Sequence, residues 1–187
     1  MLKMPFQEGD TILFQGDSIT DCDRDRSDSY SLGSGYPALI AAYLWSQFPH
    51  LRLTIVNRGI SGDRVYDLAS RWEDDCIKLK PNWVSILVGI NDTWRRFDSN
   101  VISPIEDFEK TYRQLLDQVT EHTQARLVLL EPFVLSFPED RRAWRARLES
   151  PHRSGSRAGS RVLGYLGALG WALRSSLCQG PTSLLGS

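Results

Sequence analysis

Long apolar runs are missing from this 187-residue chain, and so is any marked imbalance of charge. The first absence removes a membrane span, which needs about 20 consecutive apolar residues. Val162-Leu-Gly-Tyr-Leu-Gly-Ala-Leu-Gly-Trp-Ala-Leu173 is the most apolar stretch, and it is too short and too rich in glycine. The opening Met1-Leu-Lys-Met-Pro-Phe-Gln-Glu-Gly9 lacks the apolar centre of a signal peptide, so the cytoplasm is the expected compartment. A formal net charge of −1 gives no reason to expect nucleic acid or an anionic membrane as partner. Cys22, Cys76 and Cys178 are scattered without metal-ligand spacing, and free thiols are expected. Asp21-Cys-Asp23-Arg-Asp25 starts like a calcium loop, but its sixth position is Arg26 rather than Gly and its twelfth is Leu32 rather than Glu. No metal is expected.

What is present is a regular alternation. Thr11-Ile-Leu-Phe-Gln15, Leu53-Thr-Ile-Val-Asn57, Trp83-Val-Ser-Ile-Leu-Val88 and Arg126-Leu-Val-Leu-Leu-Glu131 read as four strands of a sheet covered on both faces. Helical periodicity lies between them, over Pro37 to Phe48, Val65 to Leu79 and Ile105 to Val119, the last opened by Ser103-Pro104 as cap and first-turn proline. This order predicts a layered α/β fold with a parallel sheet. Glu139 to Glu149 reads as a further helix.

From Ser150 onward the composition changes. The last 38 residues contain no Asp, Glu or Lys, yet hold eight Ser, four Arg and seven of the chain's 14 Gly. Their formal charge is +4, against −5 for residues 1–149. We therefore divide the chain into a domain over 1–149 and an atypical tail over 150–187. A shift of reading frame near residue 149 in a GC-rich gene would account for such a tail.

Three short motifs stand at strand ends, where α/β enzymes place function. Gly16-Asp17-Ser18 follows the first strand, Asn57-Arg-Gly59-Ile-Ser-Gly62-Asp63 the second and Gly89-Ile-Asn91-Asp92 the third. In an acyl-transfer reading Ser18 attacks a carbonyl carbon. The backbone amides of Ser18 and Gly59, with the side-chain amide of Asn91, then receive the oxyanion. Each motif alone has a plainer reading: a turn with a helix cap for the first, a turn for the second, a strand-to-helix cap for the third. Their order, each at a strand end, favours the chemical reading.

These blocks resemble those of the SGNH hydrolases, also called the GDSL esterases and lipases. "GDSIT", "NRGISGD" and "VGIND" are similar to the family's first three blocks. "GYPALIAAYL", "RWEDDCIKLKP" and "LLEPFVL" resemble the branch that contains acetylxylan and other carbohydrate acetyl esterases. The resemblance covers about residues 8 to 148. It implies a three-layer flavodoxin-like fold, usually with five parallel strands, and no cofactor. Ser18 would be the nucleophile, with Gly59 and Asn91 as oxyanion donors. The implied substrate is a small acyl ester or an acetylated carbohydrate; a thioesterase or lysophospholipase of the same family is the alternative. Asp17 and Trp94 are candidates for substrate contact, Trp94 equally for a contact between copies in a homo-oligomer or for core packing.

The family's last block is absent. It is Asp-Xaa-Xaa-His, in which the histidine takes the serine's proton and the aspartate orients it. No Asp follows Asp140, and that block occurs nowhere in the chain. His50 reads as a loop residue before the second strand, and His122 falls on the amino edge of the sheet. His152, in Glu149-Ser-Pro-His152, has the right acid-to-histidine spacing but no fifth strand before it. Losing the base of such a triad costs on the order of 10⁶ in turnover, or about 8 kcal/mol. A chain without it would bind esters and turn them over poorly.

Overall fold

The computed structural model describes residues 5–101 and 104–132. Four strands form a parallel sheet: β1 (Thr11–Gly16), β2 (Thr54–Asn57), β3 (Trp83–Leu87) and β4 (Arg126–Leu129). Their spatial order is β2-β1-β3-β4, the order of a flavodoxin-like sheet. Register carries Gly16 opposite Leu87, so β1 and β3 end level with one another. The four strands expected from the sequence are all found, β1 one residue longer and the other three one or two residues shorter.

Helices cover both faces. Tyr36–Gln47 (α2) packs Ala41 and Leu44 onto Ile12, Phe14, Ile55 and Trp83 on one side. On the other, Val65–Asp75 (α3) and Ile105–His122 (α5) enclose Leu13, Val84, Ile86 and Leu129 with Leu68, Trp72, Tyr112 and Leu116. Alternate residues of β1 thus serve opposite cores, as the two-residue period of a strand requires.

Two helical expectations need correction. Helix α3 stops at Asp75, and Ile77–Leu79 continues as a separate 3₁₀ turn closed by Lys80 in the left-handed region (φ +46°). The residue preceding α5 is Pro104, which has no side-chain cap to offer. Ser103, expected as that cap, lies outside the described residues, as do the Glu139–Glu149 helix, His152 and the tail from 150. Two further helices follow directly on the first and third strands, a single turn at Ser18–Asp21 (α1) and Ile90–Asp98 (α4).

Candidate active site

Because all strands are parallel, the loops after β1, β2 and β3 emerge on one edge. Ser18 is the first residue of α1 and is exposed. A cavity of about 530 Å³ opens beside it, lined by Ser18, Asp21, Cys22, Arg24, Arg26 and Ser61, with Asp23 at its side. Among the described residues no large apolar side chain contributes to that lining.

Asp17 does not face this cavity. It is fully buried, and its Oδ1 accepts the N–H of Ile19 at 3.1 Å, so it caps α1 rather than touching substrate. Desolvation raises its pKa to about 6, against the pull of that N–H, with Asp63 adding like-charge repulsion. For the substrate contact expected of it, Asp17 would have to leave this buried capping position. Gly16 precedes it, and a Cβ there would strike the Leu87 carbonyl and the Thr20 hydroxyl.

The second loop is fastened to the first at several points. Asn57, fully buried, donates through Nδ2 to the carbonyls of Thr20 (2.7 Å) and Leu32 (2.8 Å). Its Oδ1 accepts the N–H of Gly59 at 2.8 Å. The Ile60 N–H donates to Gly16 O at 3.0 Å, and the Ser61 N–H to the carboxylate of Asp21 at 2.8 Å. The Arg26 guanidinium and the Ser61 N–H hold the Asp21 carboxyl below the usual range, outweighing its partial desolvation. Asp21, the last residue of "GDSITD", is therefore a clamp on the neighbouring loop.

These contacts change the account of the oxyanion donors. The Gly59 N–H is already given to Asn57, and its Cα lies so close to α1 that a Cβ would collide with the backbone at Thr20 and Asp21. Gly59 is glycine for packing. Gly62, three residues on, has φ +90°, and a Cβ added there would meet only Arg95 Nη2, at 3.7 Å. No hydrogen bond engages its N–H among the described residues, nor that of Ser18. Of the two glycines of "NRGISGD", Gly62 rather than the expected Gly59 thus has an uncommitted N–H among the described residues. The useful signal was that only one of the two sits in a turn requiring a positive φ.

Asn91 lies in the first turn of α4, half-buried, and its Nδ2 donates to the Asp63 carbonyl at 3.0 Å, leaving its second amide hydrogen available. Next to it Asp92 is buried, with Oδ2 accepting the N–H of Val65 at 3.2 Å at the start of α3 and Oδ1 unpartnered. Desolvation raises the Asp92 pKa to about 7, partly opposed by that N–H and by Arg64. Trp94, four residues past Ile90 on α4, is 38% exposed and is not among the residues lining the cavity beside Ser18.

The two described histidines are not near Ser18. His50 lies in the 3₁₀ turn Pro49–Leu51 that leads into β2, and His122 ends α5 ahead of β4. Both stand at the amino edge of the sheet. Even a four-residue strand places about 13 Å between the two edges, several times hydrogen-bond reach. Among the described residues no group of three or more His, Cys, Asp or Glu could hold a metal ion. No described helix is long and apolar enough to cross a membrane.

The sequence profile of the GDSL-like lipase/acylhydrolase family matches residues 14–163, most of the chain. The chain belongs to this family. An acetylxylan esterase of Geobacillus stearothermophilus is 40% identical to it over 144 residues. That alignment takes in 73% of this chain and spans 65% of the relative's length. Structures of catalytic mutants of an acetylxylan esterase from the same organism superpose with TM-scores of 0.67 to 0.69 at 37–38% identity, covering 75–77% of this chain and 69–71% of theirs. In those mutants a serine, a histidine and an aspartate three residues before it are each replaced by alanine. An α/β hydrolase from the metagenome of Lake Arreo, Spain, superposes with a TM-score of 0.70 at 39% identity, covering 78% of this chain and 70% of that one.

Proposed function

We propose that this GDSL-family chain is a serine esterase site for small acyl esters, with acetylated carbohydrate as the favoured substrate. The observation that carries the reading is the exposed Ser18 at the carboxyl edge, opening on a polar cavity with uncommitted donors in the flanking loops. Ser18 Oγ would attack the ester carbonyl carbon, its proton passing through water to the alkoxide that leaves as the alcohol. The resulting oxyanion would be received by the N–H groups of Ser18 and Gly62 and by the amide of Asn91. Collapse would expel the alcohol, and water would release the acid from the acyl-serine. The polar side chains that line the cavity among the described residues suit a polar alcohol such as a sugar better than a long acyl chain. The acetylxylan esterase among the relatives supports the same substrate class.

A second reading rests on the base. The chain has no Asp-Xaa-Xaa-His, and both described histidines lie on the far edge of the sheet. On that reading the protein binds esters and hydrolyses them slowly. Hydrolysis of 4-nitrophenyl acetate by the full chain and by Ser18→Ala separates the two. A Ser18-dependent rate supports the esterase; equal rates at background eliminate turnover and leave ester binding. Preference for octanoyl over acetyl esters would remove the carbohydrate assignment.

A further inference from the structure

Arg71, on α3, takes no part in the chemistry above, yet it joins the nucleophile strand to the third oxyanion donor. Its Nε donates to Asp63 Oδ2 at 2.9 Å, and its Nη2 lies 2.8 Å from the same oxygen. Its Nη1 donates to Gln15 Oε1 at 3.1 Å and to Asp75 Oδ2 at 2.9 Å. Gln15 is fully buried on β1, three residues before Ser18, and its Nε2 donates to the Asp75 carbonyl at 2.7 Å. At the other end, Asp63 offers its backbone carbonyl to the side-chain amide of Asn91. An unbroken path of hydrogen bonds thus runs from β1 through Arg71 and Asp63 to Asn91.

The geometry points to Arg71 as a positioning residue for the oxyanion site: we propose that its guanidinium fixes Asp63, and thereby the angle at which Asn91 presents its free amide hydrogen. The planar fork makes the role specific. One edge of the guanidinium meets the Asp63 carboxylate while Nη1 reaches Gln15 on β1 and Asp75 on its own helix, which an ammonium on a lysine stem cannot reproduce together. Burial raises the Asp63 pKa and the paired Arg71 opposes it, so the carboxylate depends on this partner. A displacement of even about 1 Å at a catalytic donor can cost on the order of 10²-fold in rate, which makes a support of this kind consequential.

This inference rests on the esterase reading, so the test has one arm that does not need turnover. Arg71→Lys is made in the full chain and its folding checked by circular dichroism. The Asn91 side-chain amide is located in a ¹⁵N spectrum by its loss in Asn91→Asp, and its exchange with water is measured. We expect exchange about fivefold faster in Arg71→Lys, the effect of losing one ordinary hydrogen bond. The Ser18-dependent kcat on 4-nitrophenyl acetate should fall by about 10- to 100-fold with KM within about twofold. Asp63→Asn, which keeps the carbonyl that Asn91 uses, should reproduce both changes and serves if the lysine variant does not fold. Unchanged exchange at Asn91 in a folded variant overturns the proposal. Absence of any Ser18-dependent rate in the parent would instead count against the esterase reading, and the exchange measurement would still decide the role of Arg71.

Discussion

Replacing Asp92 by Asn should flatten the pH dependence of stability between pH 5 and pH 8. Asp92 is buried with one oxygen bonded to the Val65 N–H and the other unpartnered, and its pKa stands at about 7 against an ordinary 3.8. A raised carboxyl pKa means that the native state holds a proton the unfolded chain releases. Stability is therefore greatest below the unfolded value and is lost as pH climbs from 3.8 toward 7. The full shift corresponds to about 4 kcal/mol, of which about 3 kcal/mol falls between pH 5 and pH 8. Asparagine mimics the neutral acid and keeps an oxygen for Val65, but brings an extra amide hydrogen into a dry site. Its absolute stability at pH 8 should thus exceed the parent's by about 1–3 kcal/mol rather than by the whole amount. Urea midpoints at the two pH values, for parent and variant, give the comparison. A variant that loses as much stability as the parent between pH 5 and pH 8 would refute the reasoning, because the proton would then reside elsewhere. Asp17, raised by burial to about 6, contributes in the same direction to the slope that remains in Asp92→Asn.

The two glycines of the second loop should part company. Gly59→Ala drives a methyl into the backbone of α1 and should cost about 3 kcal/mol or more in urea unfolding, whereas Gly62→Ala meets only the strain of φ +90° and should cost about 1–2 kcal/mol. Equal losses would contradict the packing role of Gly59. Tyr112→Phe should raise stability by about 1 kcal/mol, because the Tyr112 hydroxyl is buried without a partner while its ring stacks on Phe108. A lower thermal midpoint for that variant would mean that the hydroxyl is satisfied.

How much of this could be read from the sequence depends on the range of the interactions. The four strands were legible because a parallel strand buried on both faces is apolar throughout, and Leu13, Val84 and Ile86 are indeed fully enclosed. Helix α4 was not, because its inward positions include Asp92 and Thr93 beside Ile90, and an apolar period cannot register a polar buried face. The break after α3 escaped for the opposite reason: Cys76 and Leu79 keep helical spacing while the backbone turns at Lys80. Within the proposed site, the position of Ser18 and Asn91 just past the ends of β1 and β3 was legible from motif order. The contacts that hold the loops were not, since Asp21 reaches Ser61 across 40 residues and Arg71 reaches Gln15 across 56. Choosing between Gly59 and Gly62 required knowing where the Asn57 side chain points.

Every such clamp described here, at Asp21, Asn57, Arg71 and Asp92, joins residues before position 133. The proposed donors around Ser18 are thus held by contacts made among residues 5–132. If the proposed donors are in place and only the base is wanting, a diffusible base should restore part of the rate. Imidazole is small against a cavity of about 530 Å³, and its pKa, close to histidine's, suits it to accept the Ser18 proton. In a chain carrying His152→Ala, added imidazole should accelerate hydrolysis of 4-nitrophenyl acetate beyond its own solution reaction, and the increment should saturate. Ser18→Ala in the same background supplies the control, because imidazole attacks this ester unaided. The triad's base is worth on the order of 10⁶ in turnover, so recovery of about 10- to 100-fold would be modest yet easily measured. Identical imidazole responses with and without the serine would show that Ser18 is not poised to attack, whatever base is supplied.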